Sequence, residues 1–256
     1  MSRVKHSFVV SGRPRVEIKL YSGDVRIIEN AGSEIAVTLD GAEKWLQRIS
    51  VDQLGDDTVR VEAQGRFGFG SGVDALVAVP AGSNASLMVG SSDVVIDVEL
   101  GDLGVGVGSG DVRAGSIRGN AEVKAGAGDV HIDEVRGDLD ASVGSGDIRV
   151  RQVLGDGRVK GASGDILLEK VAGRVDGSTA AGDITIRSFD GGDLRLNALS
   201  GDVTVGIPAG RTLTVELQTM TGDVVNELAT STGERTGKAS LRIKTLSGDI
   251  RLKPAT

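Results

Sequence analysis

Apolar and polar residues alternate along most of this chain, in short runs broken by glycine. Val112 and Ala114, Val130 and Ile132, Ile148 and Val150, Ile166 and Leu168, and Ile184 and Ile186 each stand two apart. A period of two belongs to a strand with one buried face and not to a helix. Each pair follows an aspartate, and Asp93, Asp111, Asp129, Asp147, Asp165 and Asp183 recur at intervals of 18 residues. Asp202, Asp223 and Asp249 follow at gaps of 19, 21 and 26. A fixed period of this length is the mark of a repeat architecture.

Each 18-residue unit is halved by a second break, at Gly119-Asn120, Gly137-Asp138, Gly155-Asp156 and Gly173-Arg174. A further apolar column stands six residues past the aspartates, at Ile117, Val135, Val153, Val171 and Phe189. Two strands and two tight turns make one coil, and successive coils stack at about 4.8 Å, the ordinary inter-strand spacing. The expected fold is all-β: a parallel β-solenoid, either β-helix or β-roll, in which equivalent positions form columns. Residues 73–256 are read as one continuous solenoid and residues 1–72 as an irregular N-terminal β segment that caps it.

Within that segment Val16–Leu20, Val25–Ile28 and Ile35–Leu39 read as strands, the first two joined by an early copy of the turn, Ser22-Gly23-Asp24. Ala42–Gln47 reads as a short helical turn. Ile49–Leu54 and Thr58–Val61 flank Gly55-Asp56-Asp57, which reads as a hairpin or a short strand connection. Gly65–Gly72 reads as a flexible loop, and Ser231–Lys238 as a surface insertion ahead of the final coil. The phrase Pro-Ala-Gly occurs twice, at Pro80–Gly82 and Pro208–Gly210, each time as a longer turn. The strand Asp249–Lys253 ends at Pro254, where Lys253 and Pro254 are expected to blunt a terminal edge against end-to-end association.

Composition changes the picture mainly by exclusion. Gly accounts for 39 of 256 residues without the three-residue period of collagen, and aromatic residues for only 2%. A thin solenoid has no need of large fillers. There is no cysteine, which excludes disulfides and thiolate metal sites. A net charge of −7 and a pI near 5.0 argue against a nucleic-acid partner, which demands a basic face. No window approaches the length of a membrane span, and no signal peptide is visible, so the sequence as it stands reads as cytoplasmic, or as exported if a leader has been removed from it.

The aspartate column is the one candidate site. Stacked carboxylates about 4.8 Å apart repel by about 1 kcal/mol per neighbour in water. Backbone N–H donors in the turns offset that, each worth about 1.5–3 kcal/mol to a charged acceptor. The structural reading is a ladder of turn aspartates. The alternative is a calcium-binding β-roll with Asp111, Asp129, Asp147, Asp165 and Asp183 as its ligands. The G-G-x-G-x-D pattern of calcium rolls is absent. Gly110, Gly128, Gly146, Gly164 and Gly182, directly ahead of these aspartates, are expected at positive φ or in crowded turns.

Catalytic signals are weak. The histidines, His6 and His131, are isolated, no G-x-S-x-G elbow occurs, and Ser109, Ser145, Ser163, Ser200 and Ser247 fit turn positions. Gly65–Gly72 lacks the ending of a phosphate-binding loop. Outward Arg113, Arg149, Arg118 and Arg136, expected near Asp129 and Asp147, could serve a carbohydrate-active β-helix. Mixed charge that keeps a sheet surface soluble explains them as well. No cofactor is expected.

The turns Ser109–Val112, Ser145–Ile148, Ser163–Ile166, Ser200–Val203 and Ser247–Ile250, together with Val79–Gly82, resemble the bacterial β-strand-repeat family called domain of unknown function 4097, whose members carry an adhesin label. The resemblance spans nearly the whole chain. It implies a non-enzymatic scaffold or adhesin-like binding surface for a protein or surface partner, with end-to-end or homo-oligomeric association open, and it supplies no catalytic residues.

Overall fold

The computed structural model describes residues 2–65, 72–228 and 238–255. Of the loops expected at Gly65–Gly72 and Ser231–Lys238, all but Gly65, Gly72 and Lys238 lie outside this set. The chain forms two compact units, Met1–Gly128 and Asp129–Thr256.

The first unit contains β1 (Ser2–Val9), β2 (Arg15–Ser22), β3 (Val25–Glu29), β4 (Glu34–Gly41), α1 (Glu43–Leu46), β5 (Ile49–Leu54), β6 (Thr58–Ala63), β7 (Val73–Val79), β8 (Asn84–Ser91), β9 (Val94–Asp97), β10 (Leu103–Ser109), β11 (Val112–Ile117) and β12 (Ala121–Ala127). One sheet has the order β1-β4-β7-β3-β9-β11 and the other β5-β6-β2-β8-β10-β12. From β3 and β2 onward the pairing is parallel, one strand of each sheet per coil. The N-terminal segment closes both sheets with antiparallel strands: β1 on β4, β4 on β7, and the hairpin of β5 and β6. Arg3 forks onto both carboxylate oxygens of Asp40 across the outermost pair, and its guanidinium holds that carboxyl below the usual carboxylate range. β7, read from the sequence as part of the regular coils, is shared. It runs parallel to β3 on one side and antiparallel to β4 on the other.

The second unit contains β13 (Val130–Val135), β14 (Leu139–Ser145), β15 (Ile148–Val153), β16 (Gly157–Ser163), β17 (Ile166–Val171), β18 (Val175–Ala181), β19 (Ile184–Phe189), β20 (Asp193–Ser200), β21 (Val203–Ile207), β22 (Thr212–Thr221), β23 (Val224–Asn226), β24 (Lys238–Ser247) and β25 (Ile250–Pro254). Its sheets have the orders β13-β15-β17-β19-β21-β25-β23 and β14-β16-β18-β20-β24-β22. Every register between neighbours in the regular run pairs residues one period apart, as in Ile148↔Ile166↔Ile184. The inward columns are the core. Val130, Ile148, Ile166, Ile184 and Val203 are buried, as are Val135, Val153, Val171 and Phe189, and in the first unit Val112 and Ile117 are buried too. β-branched side chains dominate because each packs on its own copies one strand away, where a straight, stiff rotamer fits best.

Neither unit keeps chain order throughout. In the first, the coil of β2 and β3 sits between β6 and β7 on one side and β8 and β9 on the other. In the second, the coil of β24 and β25 sits between β20 and β21 on one side and β22 and β23 on the other. The two Pro-Ala-Gly turns are the connections that step across these inserted coils, from β7 to β8 and from β21 to β22. Arg211 ties the second crossover down: its side chain is only 8% exposed, and its Nη2 donates to the Gly191 carbonyl at 2.8 Å. The insertion corrects the expectation for the C-terminus. β25 lies inside its sheet, with Ile250–Leu252 paired on both sides, so among the described residues the outermost strands at this end are β22 and β23. Lys253 and Pro254 pair with Gly206 and Ile207, run past the end of β23, and do not guard the outermost strand.

Candidate functional site

The repeat aspartates stand in the turn from one sheet to the other, and their geometry is uniform. The Oδ1 of each accepts the backbone N–H of the aspartate in the next coil. In the second unit the chain of bonds runs from Asp129 to Asp147 at 2.9 Å, then through Asp165, Asp183, Asp202, Asp249 and Asp223, each at 2.8 Å. In the first it runs from Asp74 through Asp24 and Asp93 to Asp111. The sequence leads one to expect capping within each turn, whereas the bonds link consecutive coils. They follow spatial order, so that Asp249 precedes Asp223. The glycines ahead of the aspartates, Gly110, Gly128, Gly146, Gly164 and Gly182, all have φ between 120° and 134°. This brings the turns of adjacent coils into backbone contact.

A second ladder, not foreseen from the sequence, runs along the opposite turns. Asn84 Oδ1 accepts from Asp102 N–H and Asp102 Oδ1 from Asn120 N–H in the first unit. Asp138 accepts from Asp156 and Asp156 from Arg174 in the second. The signal was present in the Asn and Asp that follow the mid-repeat glycines. Both residue types carry the side-chain oxygen that this position uses.

The second carboxylate oxygen faces outward. Asp147 Oδ2 receives Arg149 Nη2 at 2.7 Å, and Arg149 Nη1 stands 3.9 Å from Asp129 Oδ2, so one guanidinium spans two rungs. Arg113 does the same for Asp111 alone, at 3.1 Å. Arg118 pairs with Glu99 and Arg136 with Glu134. His131 stands 3.5 Å from Asp133 on an exposed face, and His6 stacks on Phe8 in β1. The candidate arginines and histidines are therefore dispersed and converge on no cleft. Among the described residues, no three His, Asp or Glu side chains are grouped to hold a metal ion, and no helix is long and apolar enough to cross a membrane.

The ladder can be separated chemically from a calcium site by substitution. Asp147→Asn keeps the Oδ1 acceptor for Asp165 and relieves repulsion, so it is expected to change stability by less than about 1 kcal/mol. Asp147→Ala leaves that N–H without its partner and is expected to cost about 1–3 kcal/mol. Urea denaturation of both variants checks the difference. A calcium-dependent rise in the native Tm that Asp147→Asn abolishes would favour the calcium-roll reading instead.

The outer face of the first unit carries a different feature. Strand registers place its outward residues in two rows. One row reads Arg60, Glu17, Ser86, Gly104, Glu122, and the other Glu62, Lys19, Met88, Gly106, Lys124. Charged pairs stand on one side, Arg60 with Glu17 at 2.8 Å and Lys19 with Glu62 at 3.0 Å. Glu122 and Lys124 stand on the other, at 2.5 Å from each other. Between them, β10 presents no side chain at Gly104 and Gly106. The result is a shallow trough of about 480 Å³ with a bare-backbone floor and Met88, 65% exposed, on its rim. Packing does not require these glycines. A Cβ at Gly104 would have no neighbour nearer than 4.0 Å, and one at Gly106 would meet the movable Met88 Sδ at 3.2 Å and the Leu87 carbonyl at an ordinary contact distance of 3.9 Å.

Stacked parallel coils closed by asparagine and aspartate ladders define a parallel β-solenoid. This chain belongs to the family described as Toastrack DUF4097, whose model matches residues 14–253. Among solved structures it is similar to a "putative adhesin" from Bacteroides fragilis, at 13% identity and a TM-score of 0.51, covering 98% of this chain and 97% of that one. It is also similar to a "putative lipid binding protein" from Parabacteroides distasonis, at 14% identity and a TM-score of 0.45, covering 98% and 96%. Identities this low bear on the fold alone. No curated protein matches.

Proposed function

We propose that this chain is a non-catalytic binding module that engages a protein or surface partner through the trough on the outer face of its first unit. One observation carries the reading: Gly104 lies inside a strand, where glycine costs about 0.5–1 kcal/mol, although the space around it would admit a side chain. A strand glycine that packing does not demand marks a place where something else approaches the backbone. The mixed charges on both sides of the floor suit a partner with polar groups of both signs flanking a flat contact. The adhesin description of the Bacteroides structure agrees with a binding role. A non-catalytic role is supported by the ladder carboxylates, whose Oδ1 atoms are committed to backbone donors, and by the dispersal of the histidines and arginines.

The test separates binding from stability. Gly104→Ala is expected to stabilise the fold by about 0.4–1 kcal/mol, because the unfolded chain loses freedom and the native backbone accepts a Cβ. Gly104→Gln, which fills the trough, is expected to remain folded and to weaken saturable binding to the surface fraction of the source cell at least tenfold. The readout is a pull-down titration beside a urea melt. Unchanged binding by a folded Gly104→Gln would overturn the reading.

A further inference from the structure

We infer that the open end of the second unit, formed by β22 and β23, is a self-complementary interface that joins two copies of this chain by a two-fold axis. The inference is independent of the trough.

Three observations carry it. First, two strand edges end at the same place. β22 pairs only with β24 and β23 only with β25, so among the described residues the outer side of each has no strand partner. Second, the columns that form the core deeper in the unit are opened here. Val215 continues the column of Leu241 and is 38% exposed where Leu241 is 1%. Val224 continues that of Ile250 and is 47% exposed where Ile250 is 0%. Leu213 and Leu217 lie on the same inward face and are half-buried. Third, the edge lacks the guards that edges ordinarily carry. β22 is 10 residues long, without Pro or Lys, and Glu216 is its only charged residue. The edge strand β1 of the first unit, by contrast, carries Arg3 and Lys5. Long unguarded edges pair with other strands.

The choice of a second copy rests on the presence of two edges at once. A single extended peptide could cover β22 or β23 but not both, and would leave the apolar column between the sheets in water. The same end of another copy presents two edges at the same separation, with the same apolar residues between them. A two-fold axis perpendicular to the sheets sets β22 antiparallel to β22 and β23 antiparallel to β23. It satisfies both rows of backbone groups and covers Leu213, Val215, Leu217 and Val224. An isologous contact closes at two copies, whereas stacking of this end on the β1 and β5 edges of another copy would continue into fibres.

The experiment uses the full chain, with light scattering after size exclusion and hydrogen exchange of the backbone amides. The expected mass is twice 26.3 kDa at tens of micromolar protein, with the outer amides of residues 213–221 protected and becoming exchangeable on dilution. Val215→Lys, alone and with Val224→Lys, is expected to raise the dissociation constant at least tenfold while the far-ultraviolet circular dichroism is retained. Should Val215→Lys unfold, the milder Val215→Thr is expected to shift the same equilibrium in the same direction. A monomer at about 200 µM would overturn the inference, whether its edge amides exchange freely or are covered by the chain's own residues. So would a mass that keeps growing past the dimer with concentration.

Discussion

Ile148→Asp is expected to abolish cooperative folding of the second unit. Ile148 is fully buried in a column whose neighbours above and below, Val130 and Ile166, are also apolar. A carboxylate placed there has no donor within the column and no water, and such changes belong to the rare class that cost more than about 4–5 kcal/mol. That is comparable with the whole stability of an ordinary domain, about 5–15 kcal/mol. Ile148→Val removes one methylene and is expected to cost only about 0.5–1.5 kcal/mol. Circular dichroism with urea titration checks both. A well-folded Ile148→Asp protein with a near-native midpoint would mean that the column is not closely packed.

Gly164→Ala is the second large effect, and it comes from backbone alone. Gly164 has φ +120°, a conformation that a side chain resists, and a Cβ there would overlap the carbonyl of Gly146 in the preceding coil. Strain of this kind costs about 1–3 kcal/mol, and the overlap adds the work of parting two coils. The expected loss is about 2–4 kcal/mol in urea denaturation. The opposite sign expected for Gly104→Ala makes the pair informative. One glycine is required by the close approach of coils and the other is not. Equal effects at the two positions would remove the distinction on which the trough depends.

Much of this could be read from the sequence because a solenoid repeats its own environment. The 18-residue interval decides which residues stack, so Ile148, Ile166 and Ile184 fall in one column on periodicity alone. The hairpin at Gly55–Asp57 and the helical turn near Trp45 were legible from local turn chemistry. What the sequence hid was order in space. Asp202, Asp223 and Asp249 are successive in the chain, but the ladder passes from Asp202 to Asp249 and then to Asp223. Every coil offers nearly the same pairing surface, so periodicity cannot say which coil lies beside which. The misplaced edge at Lys253 and Pro254 came from that degeneracy. The trough escaped notice for a related reason. In a chain so rich in glycine, Gly104 looks no different from Gly108, whose Cβ would strike the Gly90 backbone.

The inserted coil of β24 and β25 also sets a timetable. At the other inserted coil, β2 and β3 emerge first during synthesis, and later strands add to them on both sides as they are made. In the second unit the order is reversed. β22 and β23 leave the ribosome before the coil that separates them from β20 and β21 exists. Until residues 238–254 have been translated, the natural neighbours for β22 and β23 are β20 and β21, in a register that the finished protein does not contain. The nascent chain must therefore either hold that place open or surrender a wrong pairing when the final coil arrives. Completion of this end thus waits for β24 and β25, and the slowest phase of refolding should be the one that seats them.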